Sequence, residues 1–389
     1  MMKRMRYVIL GAIPGAINIR LGDLRSRLGE LDKSKGGCVR ATLAQQKPLK
    51  PLPPAKRTPG GAKSLDCLRE LLYNIDVAWG DMRSNLNKGE IVKIKKLQGL
   101  IAAAHTGFKA DGSVNLDVIP KQVAMLIKQK VTGVYVSGTT GEGICCSLDE
   151  RKAVFDAWVK AAKGKLYLIA HIGAQALPDV QQLGAYAVTC GMDATSIVPP
   201  NFFKPSSVDA LIDYLKAALK TSEKLPFYYY HTSMSGVNFD MQTFLEKADG
   251  KIKNLAGIKF NYPDLYMFQR CLRACGGKYD ITWGIDEWFA GAVALGAQSA
   301  IGSTYNYSAG IYYKIWQAVK KGDFKTVEKN MKRVCDIVDI LVQYGGVAGG
   351  KVMCRMWGVD LGDVRMPNKS ISSEGKADIL KRIKKIGVK

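Results

Sequence analysis

The amino-acid sequence predicts an α/β fold: a (β/α)8 TIM barrel with a C-terminal helical subdomain and a basic, partly disordered N-terminal extension. From about residue 97 onward, eight short β-rich runs alternate with helical stretches. The runs begin roughly 29 residues apart on average, which suits a strand followed by its returning helix. Eight such units favour closure into a barrel over an open doubly wound sheet. The G-x-G-x-x-G fingerprint of dinucleotide-binding folds is absent.

The predicted strands are identified by their short apolar runs, and helical patterns continue beyond the last of them. From about 308 to 344 and from 373 to 386, the helical material exceeds what a barrel requires, which predicts the C-terminal subdomain. The runs read LQGLIAAAH, GVYVSG, LYLIAHIG, TSIVPP, PFYYYH, LAGIKF, ITWGID and SAIGST, and they begin near residues 97, 133, 166, 195, 226, 255, 281 and 299.

Composition sets the broad class of the protein. With 389 residues, of which 47% are hydrophobic, the chain can fill a sizeable core, which excludes a disordered tail protein. The net charge of +23 points to anionic partners, but the first 60 residues hold 13 Lys and Arg against three Asp and Glu. Much of the basic excess therefore belongs to the N-terminal extension, and the rest suits attraction of an anionic small molecule.

The N-terminal extension is the part of the chain whose role the sequence leaves open. Its apolar run at 7–19 contains Pro14 and is shorter than the ~20 residues that a membrane-spanning helix needs. A secretory signal and a mitochondrial presequence both stay open as alternatives. Nine cysteines with no C-x-x-C pair, and only three histidines, argue against a disulfide framework or a structural zinc site. A reducing compartment fits best, and we expect a cytoplasmic location.

Four segments follow from these patterns. Five of the chain's 14 prolines lie at 47–61, which is typical of an extended linker. Apolar residues spaced by three or four over 64–79 predict an amphipathic helix. The predicted organisation is a basic leader and Pro-rich linker at 1–62, a helix and connection at 63–95, the barrel at 96–320 and the helical subdomain at 321–389.

The second strand runs into a polar, glycine-rich turn. In this barrel fold the carboxyl ends of the strands make the active site, so reactive side chains should collect there. The turn at 137–142 supplies the hydroxyls of Thr139 and Thr140 together with several backbone N–H groups. Such groups hold a small carboxylate or phosphate. An ordinary polar turn is the alternative interpretation.

The fifth and sixth strands bring a tyrosine close to a lysine. Alternation places Tyr228 and Tyr230 on one face of the fifth strand and Tyr229 on the other. Lys259 lies within the apolar sixth strand, where burial lowers the pKa of an ammonium and leaves a free amine that attacks a carbonyl. Neighbouring strands are about 4.8 Å apart, so the Tyr230 phenol can reach an imine formed on Lys259.

The seventh and eighth strands add acceptors and donors suited to a polyhydroxylated substrate. Gly284, Asp286 and Glu287 follow the seventh strand, and Ser303 follows the eighth. Together with the buried lysine, they predict a carbonyl-processing lyase. The histidines at 171 and 231 are predicted to be structural.

The motifs VSGTTGEG, FYYYH, GIKFNYPDLY, WGIDE and IGSTYNY resemble those of the N-acetylneuraminate lyase and dihydrodipicolinate synthase family of class I, pyruvate-dependent aldolases. This resemblance runs from about Lys96 to the C-terminal helices. It implies that Lys259 forms the Schiff base and that Tyr230 shuttles a proton. It implies that Thr139 and Thr140 bind the pyruvate carboxylate. It also implies that the sugar side of the pocket is lined by Tyr135, Gly284, Asp286, Glu287 and Ser303. Asn261 departs from the family pattern, but its amide can still hydrogen-bond the substrate.

The resemblance further implies a homotetramer that acts on sialic acid and pyruvate, with no metal and no other cofactor. No basic segment is interleaved with stacking aromatic residues, so we expect no nucleic-acid partner, and we expect no membrane partner. No arginine follows the strand-five tyrosine at 231–236, and WGIDE is present, which favours cleavage of N-acetylneuraminate over the synthase reaction. Two departures are a shorter loop without proline after Tyr230, and Asn261 where the lyases carry Thr or Ser. A dihydrodipicolinate synthase, a 4-hydroxy-2-oxoglutarate aldolase and an inactive barrel with a basic, anion-binding leader stay open as alternatives.

Overall fold

The computed structural model describes residues 95–388 and, before them, the backbone of four two-residue strands. Tyr7–Val8 pairs with Ile19–Arg20, and Leu10–Gly11 pairs with Arg40–Ala41, both antiparallel. Apart from these strands and Lys95, the leader, linker and helix predicted at 1–95 lie outside the described residues. The described residues 95–388 belong to one compact unit.

Eight parallel strands close into a barrel in chain order, which confirms the predicted TIM barrel. Each strand begins within two residues of its predicted start. The strands are β1 Gly99–Ala103, β2 Gly133–Val136, β3 Tyr167–His171, β4 Ala194–Ile197, β5 Phe227–Thr232, β6 Leu255–Asn261, β7 Asp280–Trp283 and β8 Ser299–Gly302.

One α-helix follows each strand, and three more complete the described part of the chain. Side-chain caps define several helix starts: Ser147 and Glu150, for example, form a reciprocal capping box at the start of α2. The helices are α1 Ile119–Lys128, α2 Leu148–Ala162, α3 Leu177–Cys190, α4 Val208–Ala218, α5 Met241–Ala248, α6 Leu265–Arg273, α7 Phe289–Ala294, α8 Tyr305–Lys321, α9 Phe324–Tyr344, α10 Gly346–Cys354 and α11 Ser373–Ile386.

The helices after β8 confirm the predicted C-terminal helical material, while the predicted division at residue 320 stays a prediction. Among the described residues, no single helix has both the length and the apolar composition to cross a membrane. One pair of helices, Phe324–Tyr344 with Gly346–Trp357, meets that test jointly, by length and composition only, with a bend of 118° between them.

The core has two layers, which the alternation of strand residues separates. On β5, Tyr228 and Tyr230 share one face and Tyr229 lies on the other, as predicted, and the structure shows that the face with Tyr228 and Tyr230 is the barrel interior. The interior layer consists of Leu97, Ile101, Ala103, Tyr135, Ile169, Ala194, Tyr228, Tyr230, Ala256 and Ile301.

A bulge in β6 determines which way the end of that strand faces. Leu255 pairs with Phe227 of β5 and Gly257 pairs with Tyr228, so Ala256 is an extra residue in the ladder. A Cβ atom at Gly257 would lie 1.7 Å from the carbonyl oxygen of Asp280, so the close approach of β7 at this point requires glycine. After the bulge the strand alternates again, so that Ile258 and Phe260 face the helices and Lys259 faces the barrel interior. The bulge is not predictable from the pattern of apolar residues.

Candidate active site

Lys259 lies inside the carboxyl end of the barrel between two aromatic rings. It pairs with Tyr230 in the register of β5 and β6, and only 4% of its surface is exposed. Its Nζ atom is 4.0 Å from the centre of the Tyr230 ring and 4.2 Å from the centre of the Tyr135 ring. Among the described residues, no carboxylate oxygen lies within 4.0 Å of the Lys259 Nζ atom.

The electrostatic surroundings of Lys259 favour a reactive amine. Burial lowers the pKa of its ammonium group, while Tyr230 and the Asp286 carboxylate partly oppose that effect. The two ring faces stabilise the charged form less than a carboxylate at contact distance would. A larger fraction of neutral, nucleophilic amine is therefore present near neutral pH than an exposed lysine would supply.

Tyr135 contributes its ring to the lysine and its hydroxyl to the barrel interior. The hydroxyl donates a hydrogen bond to Ser196 Oγ over 2.9 Å, and Ser196 Oγ donates in turn to the Tyr228 carbonyl over 2.7 Å. Burial raises the pKa of the Tyr135 phenol well above its usual value. The ring thus packs against the Lys259 amine, and the predicted contact of Tyr135 with a sugar stays a prediction.

Tyr230 is the tyrosine whose phenol is closest to the chemistry expected at Lys259. Its ring lies against the Lys259 Nζ atom, and the residue is 3% exposed. Its ring meets the Tyr135 ring edge to face, with 5.9 Å between the ring centres. A hydroxyl in this position can pass a proton to or from a group attached to the amine.

The turn after β2 is strained at both ends. Ser137 and Glu142 have φ values of +56° and +52°, in the left-handed region that side chains other than glycine rarely adopt. Between them, a Cβ atom at Gly138 would lie 2.5 Å from the Tyr135 ring, so the turn rests on the ring that also contacts Lys259. Thr139 is exposed and Thr140 is half-buried, at the same end of the barrel as the lysine.

His171, at the end of β3, helps to fix the start of that turn. Its Nδ1 atom lies 3.2 Å from the Ser137 carbonyl oxygen, and its Nε2 accepts a hydrogen bond from the Val198 N–H over 3.3 Å. Burial, and then the cations Arg151 and Lys259, lower the pKa of His171 well below its usual value. A neutral imidazole that donates at Nδ1 and accepts at Nε2 satisfies both contacts, in keeping with the predicted structural role.

Asp286 begins a short 3-10 turn after β7 and is buried. Its Oδ2 accepts hydrogen bonds from the backbone N–H and hydroxyl of Thr304, over 3.1 and 2.7 Å. Its Oδ1 makes no hydrogen bond within the described residues. Burial raises its pKa to about 6, although the Thr304 hydrogen bonds oppose the rise. One carboxylate oxygen is therefore fixed by the protein while the other keeps its capacity to accept.

The remaining predicted residues also lie where strands end. Asn261 closes β6 and donates a hydrogen bond from its amide to Thr232 Oγ1 over 3.2 Å. A Cβ atom at Gly284 would lie 2.8 Å from the Asn261 Cβ, so glycine allows these two strand ends to approach. Glu287 is exposed and Ser303 is half-buried. All ten predicted site residues thus lie at or just after the carboxyl ends of five strands, and their contacts with a substrate stay predictions.

Sequence reasoning missed a second buried lysine near the strained turn. Lys351 Nζ and Glu142 Oε1 form an ion pair at 2.7 Å, and 1% of each side chain is exposed. The signal was a single lysine in the apolar, glycine-rich segment AGGKVMC, the kind of setting that singled out Lys259. Among the described residues, no group of three or more His, Cys, Asp or Glu side chains could hold a metal ion.

Comparison with known proteins gives consistent matches over the barrel and the C-terminal helices. The model of the Dihydrodipicolinate synthetase family matches residues 96–386. N-acetylneuraminate lyase A of Xenopus laevis is 37% identical over 281 residues, which are 70% of this chain and 91% of that protein. The solved N-acetylneuraminate lyases of Proteus mirabilis and Aliivibrio salmonicida each align with a TM-score of 0.75 over 76% of this chain. They are 49% and 45% identical to it, and 100% and 98% of their own chains are covered.

Proposed function

This chain belongs to the dihydrodipicolinate synthetase family, and from that premise we propose that it reversibly cleaves N-acetylneuraminate to pyruvate and N-acetylmannosamine. The observation that carries the proposal is the buried Lys259 amine, which has no ion-pair partner among the described residues and lies between two tyrosine rings. Relatives named N-acetylneuraminate lyase support the choice of substrate.

The proposed reaction begins with attack of the neutral Lys259 amine on the C2 carbonyl of the open-chain sugar acid. Loss of water gives an imine, which is protonated and draws electrons from the neighbouring carbon chain. Tyr230, together with the substrate carboxylate, takes the proton of the C4 hydroxyl as the C3–C4 bond breaks. N-acetylmannosamine leaves as an aldehyde, and the two bonding electrons remain on the lysine as an enamine.

The second half of the reaction releases pyruvate. The enamine takes up a proton at C3, which regenerates an imine, and water hydrolyses that imine to pyruvate and the free amine. Because the protonated imine supplies the electron sink, this mechanism calls for no metal or other cofactor. Each proton transfer is a task for a hydroxyl that lies beside the lysine, which is where Tyr230 is found.

The other residues of the site bind and orient the substrate in this proposal. Thr139 and Thr140 hold the carboxylate of the pyruvyl part through their hydroxyls and the backbone N–H groups of the turn. The Oδ1 atom of Asp286 accepts a hydrogen bond from a sugar hydroxyl, and Asn261, Gly284, Glu287 and Ser303 complete that side. A homotetramer and a cytoplasmic location, both expected from the sequence, stay predictions.

The proposed mechanism is tested by trapping the imine. The full chain is incubated with pyruvate and borohydride, and the labelled residue is located by peptide mass mapping. Lys259 alone should carry the added mass, and Lys351, the other deeply buried lysine described above, is the internal control because it is ion-paired. A Lys259→Met variant should stay unlabelled. Failure of the native chain to label at Lys259 would overturn the Schiff-base mechanism.

The substrate is tested by measuring pyruvate release. N-acetylneuraminate and 4-hydroxy-2-oxoglutarate are compared at equal concentrations, and condensation of pyruvate with aspartate semialdehyde tests the synthase alternative. We expect the highest kcat/KM with N-acetylneuraminate. A higher value with either of the other reactions would replace the proposed substrate while leaving the aldolase mechanism in place.

A further inference from the structure

The ion pair between Glu142 and Lys351 joins the turn after β2 to helix α10. Both side chains are almost completely buried, so neither charge is hydrated and each depends on the other. Lys351 Nζ also donates a hydrogen bond to the Asp363 carbonyl over 2.9 Å and lies 4.2 Å from the centre of the Phe108 ring. The ammonium is thus engaged by a carboxylate, a carbonyl and a ring face, and it has no opportunity to act as a nucleophile.

The Glu142 carboxylate is fixed through both oxygen atoms. While Oε1 contacts Lys351, Oε2 accepts a hydrogen bond from the Arg365 backbone N–H over 2.9 Å and one from Asn368 Nδ2 over 3.3 Å. The partners come from helix α10 and from the segment that follows it. A carboxylate held from three directions has one position, and so has the backbone to which it is attached.

That backbone position is one that Glu142 would not adopt by itself. Its φ of +52°, like the +56° of Ser137, lies in the left-handed region, and such strain persists only where the surroundings impose it. His171 contacts the carbonyl of Ser137 at one end, and the Glu142 carboxylate is held at the other. Thr139 and Thr140 lie between these two anchored ends.

Helix α10 packs directly against the loop beside the turn, so the position of Lys351 is itself well defined. A Cβ atom at Gly350 would lie 2.7 Å from the ring of His105, at the end of β1, which shows how closely the helix approaches. Burial, and then the charge of Lys351, lower the pKa of His105 to about 3. The imidazole is therefore neutral at physiological pH and does not compete with Lys351 for Glu142.

We propose that Glu142 and Lys351 are positioning residues whose ion pair holds the strained turn in the form that binds the carboxylate of a 2-oxo acid. This inference rests on the proposed function, since it assigns the carboxylate to Thr139 and Thr140. Neither charged group touches the reacting atoms. Without the ion pair the turn relaxes, and its hydroxyl and N–H groups no longer converge on the carboxylate. The affinity for the carboxylate therefore falls, while the Lys259 amine keeps its reactivity.

The test compares two carbonyl probes that differ in the carboxylate. Borohydride trapping at Lys259 is measured against the concentration of pyruvate and, separately, of hydroxyacetone, a ketone without a carboxylate. In Lys351→Met and in Glu142→Gln, the half-saturating concentration of pyruvate should rise on the order of tenfold or more, as for one lost polar anchor. That of hydroxyacetone should change less than about twofold. Lys351→Arg, which keeps the charge, should recover part of the pyruvate affinity.

Lys376→Met is the matched control. Lys376 pairs with Asp363 at 2.7 Å in the same segment, but this pair is partly exposed and does not reach the turn. The variant should therefore trap both probes like the native chain. Thermal unfolding is recorded for every variant. Should a single variant fail to fold, the double variant Glu142→Gln/Lys351→Met, which leaves neither charge unpaired, should show the same selective loss.

The outcomes separate this inference from the proposed function. Pyruvate half-saturation equal to native in the folded variants overturns the inference alone, and so does an equal loss for both probes, because that is a general structural effect. Absence of any label in the native chain overturns the proposed function and this inference with it. A selective loss for pyruvate that Lys376→Met does not share supports both.

Discussion

Asp280 at the amino end of the barrel interior and Lys259 at the carboxyl end are both ionisable groups buried beside tyrosines, yet their surroundings leave them in different states. At the amino end, Asp280 Oδ2 accepts hydrogen bonds from the Tyr228 hydroxyl over 3.0 Å and from the Leu97 N–H over 2.9 Å. At the carboxyl end, Lys259 lies against Tyr230 and Tyr135 and belongs to none of the ion pairs of the described region. The protein itself supplies hydrogen-bond donors to Asp280, whereas Lys259 is left to react with a ligand.

This difference shows that burial alone does not make a reactive group. Both side chains are at least 96% buried, and both have a tyrosine of β5 as a neighbour. What separates them is the provision of partners: fixed donors stabilise the charged form of Asp280, whereas Lys259 receives mainly ring faces. The comparison can be tested with matched substitutions at the two ends.

Tyr230→Phe is expected to give the largest effect. Removing the phenol that handles the proton should lower kcat for pyruvate release on the order of 10²- to 10⁴-fold, the usual contribution of general acid–base catalysis. Because the substitution keeps the ring that packs against Lys259 and Tyr135, the thermal unfolding midpoint should stay near the native value. A decrease in kcat of less than tenfold would contradict this role.

Asp280→Asn is expected to change how stability depends on pH. Burial raises the pKa of Asp280 to about 6, while hydrogen bonds from Leu97 and Tyr228 and the charge of Lys96 oppose the rise. A raised pKa contributes stability that is complete below about pH 4 and is lost as the pH rises through about 6.

Relative to the Asn variant, the native chain should therefore lose roughly 3 kcal/mol of unfolding free energy between pH 4 and pH 7. Urea unfolding of both proteins at several pH values measures this difference. A difference that is independent of pH would contradict the raised pKa and would show that the fixed donors fully offset the burial of the carboxylate.

Tyr228→Phe should have the smallest effect, and on stability rather than activity. The substitution removes the donor to Asp280 and should lower the unfolding free energy by about 1–2 kcal/mol. Activity should stay within about twofold of native, because the hydroxyl lies at the amino end of the barrel. The same change two residues later, Tyr230→Phe, is its natural control. Equal losses of activity in both variants would break the distinction between the two ends.

The sequence predicted most of the fold because the relevant signals are local. The length and number of the strand-and-helix units predicted the barrel, and alternation along β5 predicted that Tyr228 and Tyr230 share a face. Lys259 could be recognised because a lysine within an apolar strand is unusual. These features depend on residues close together in the chain.

The features that escaped prediction depend on residues far apart. Glu142 accepts a hydrogen bond from Arg365, 223 positions later, and its ion pair with Lys351 is comparably distant. The hydrogen bond from the Tyr135 hydroxyl to Ser196 likewise could not be predicted, because β2 and β4 come together only in the folded barrel. The periodicity of a single segment carries no information about such contacts. The anchoring of the turn could therefore be recognised only in the folded structure.

The bulge at Ala256 and Gly257 determines which side chains of β6 face the barrel interior, and therefore whether Lys259 can reach a substrate. With Leu255 facing outward and strict alternation, Lys259 would also face outward, among the helices. The bulge absorbs Ala256, so that Lys259 stays opposite Tyr230 and its amine faces the barrel interior. A β6 strand that paired Ala256 regularly, without a bulge, would keep every side chain of the site and still turn Lys259 away from the substrate. This single backbone irregularity is therefore as decisive as the nucleophile itself.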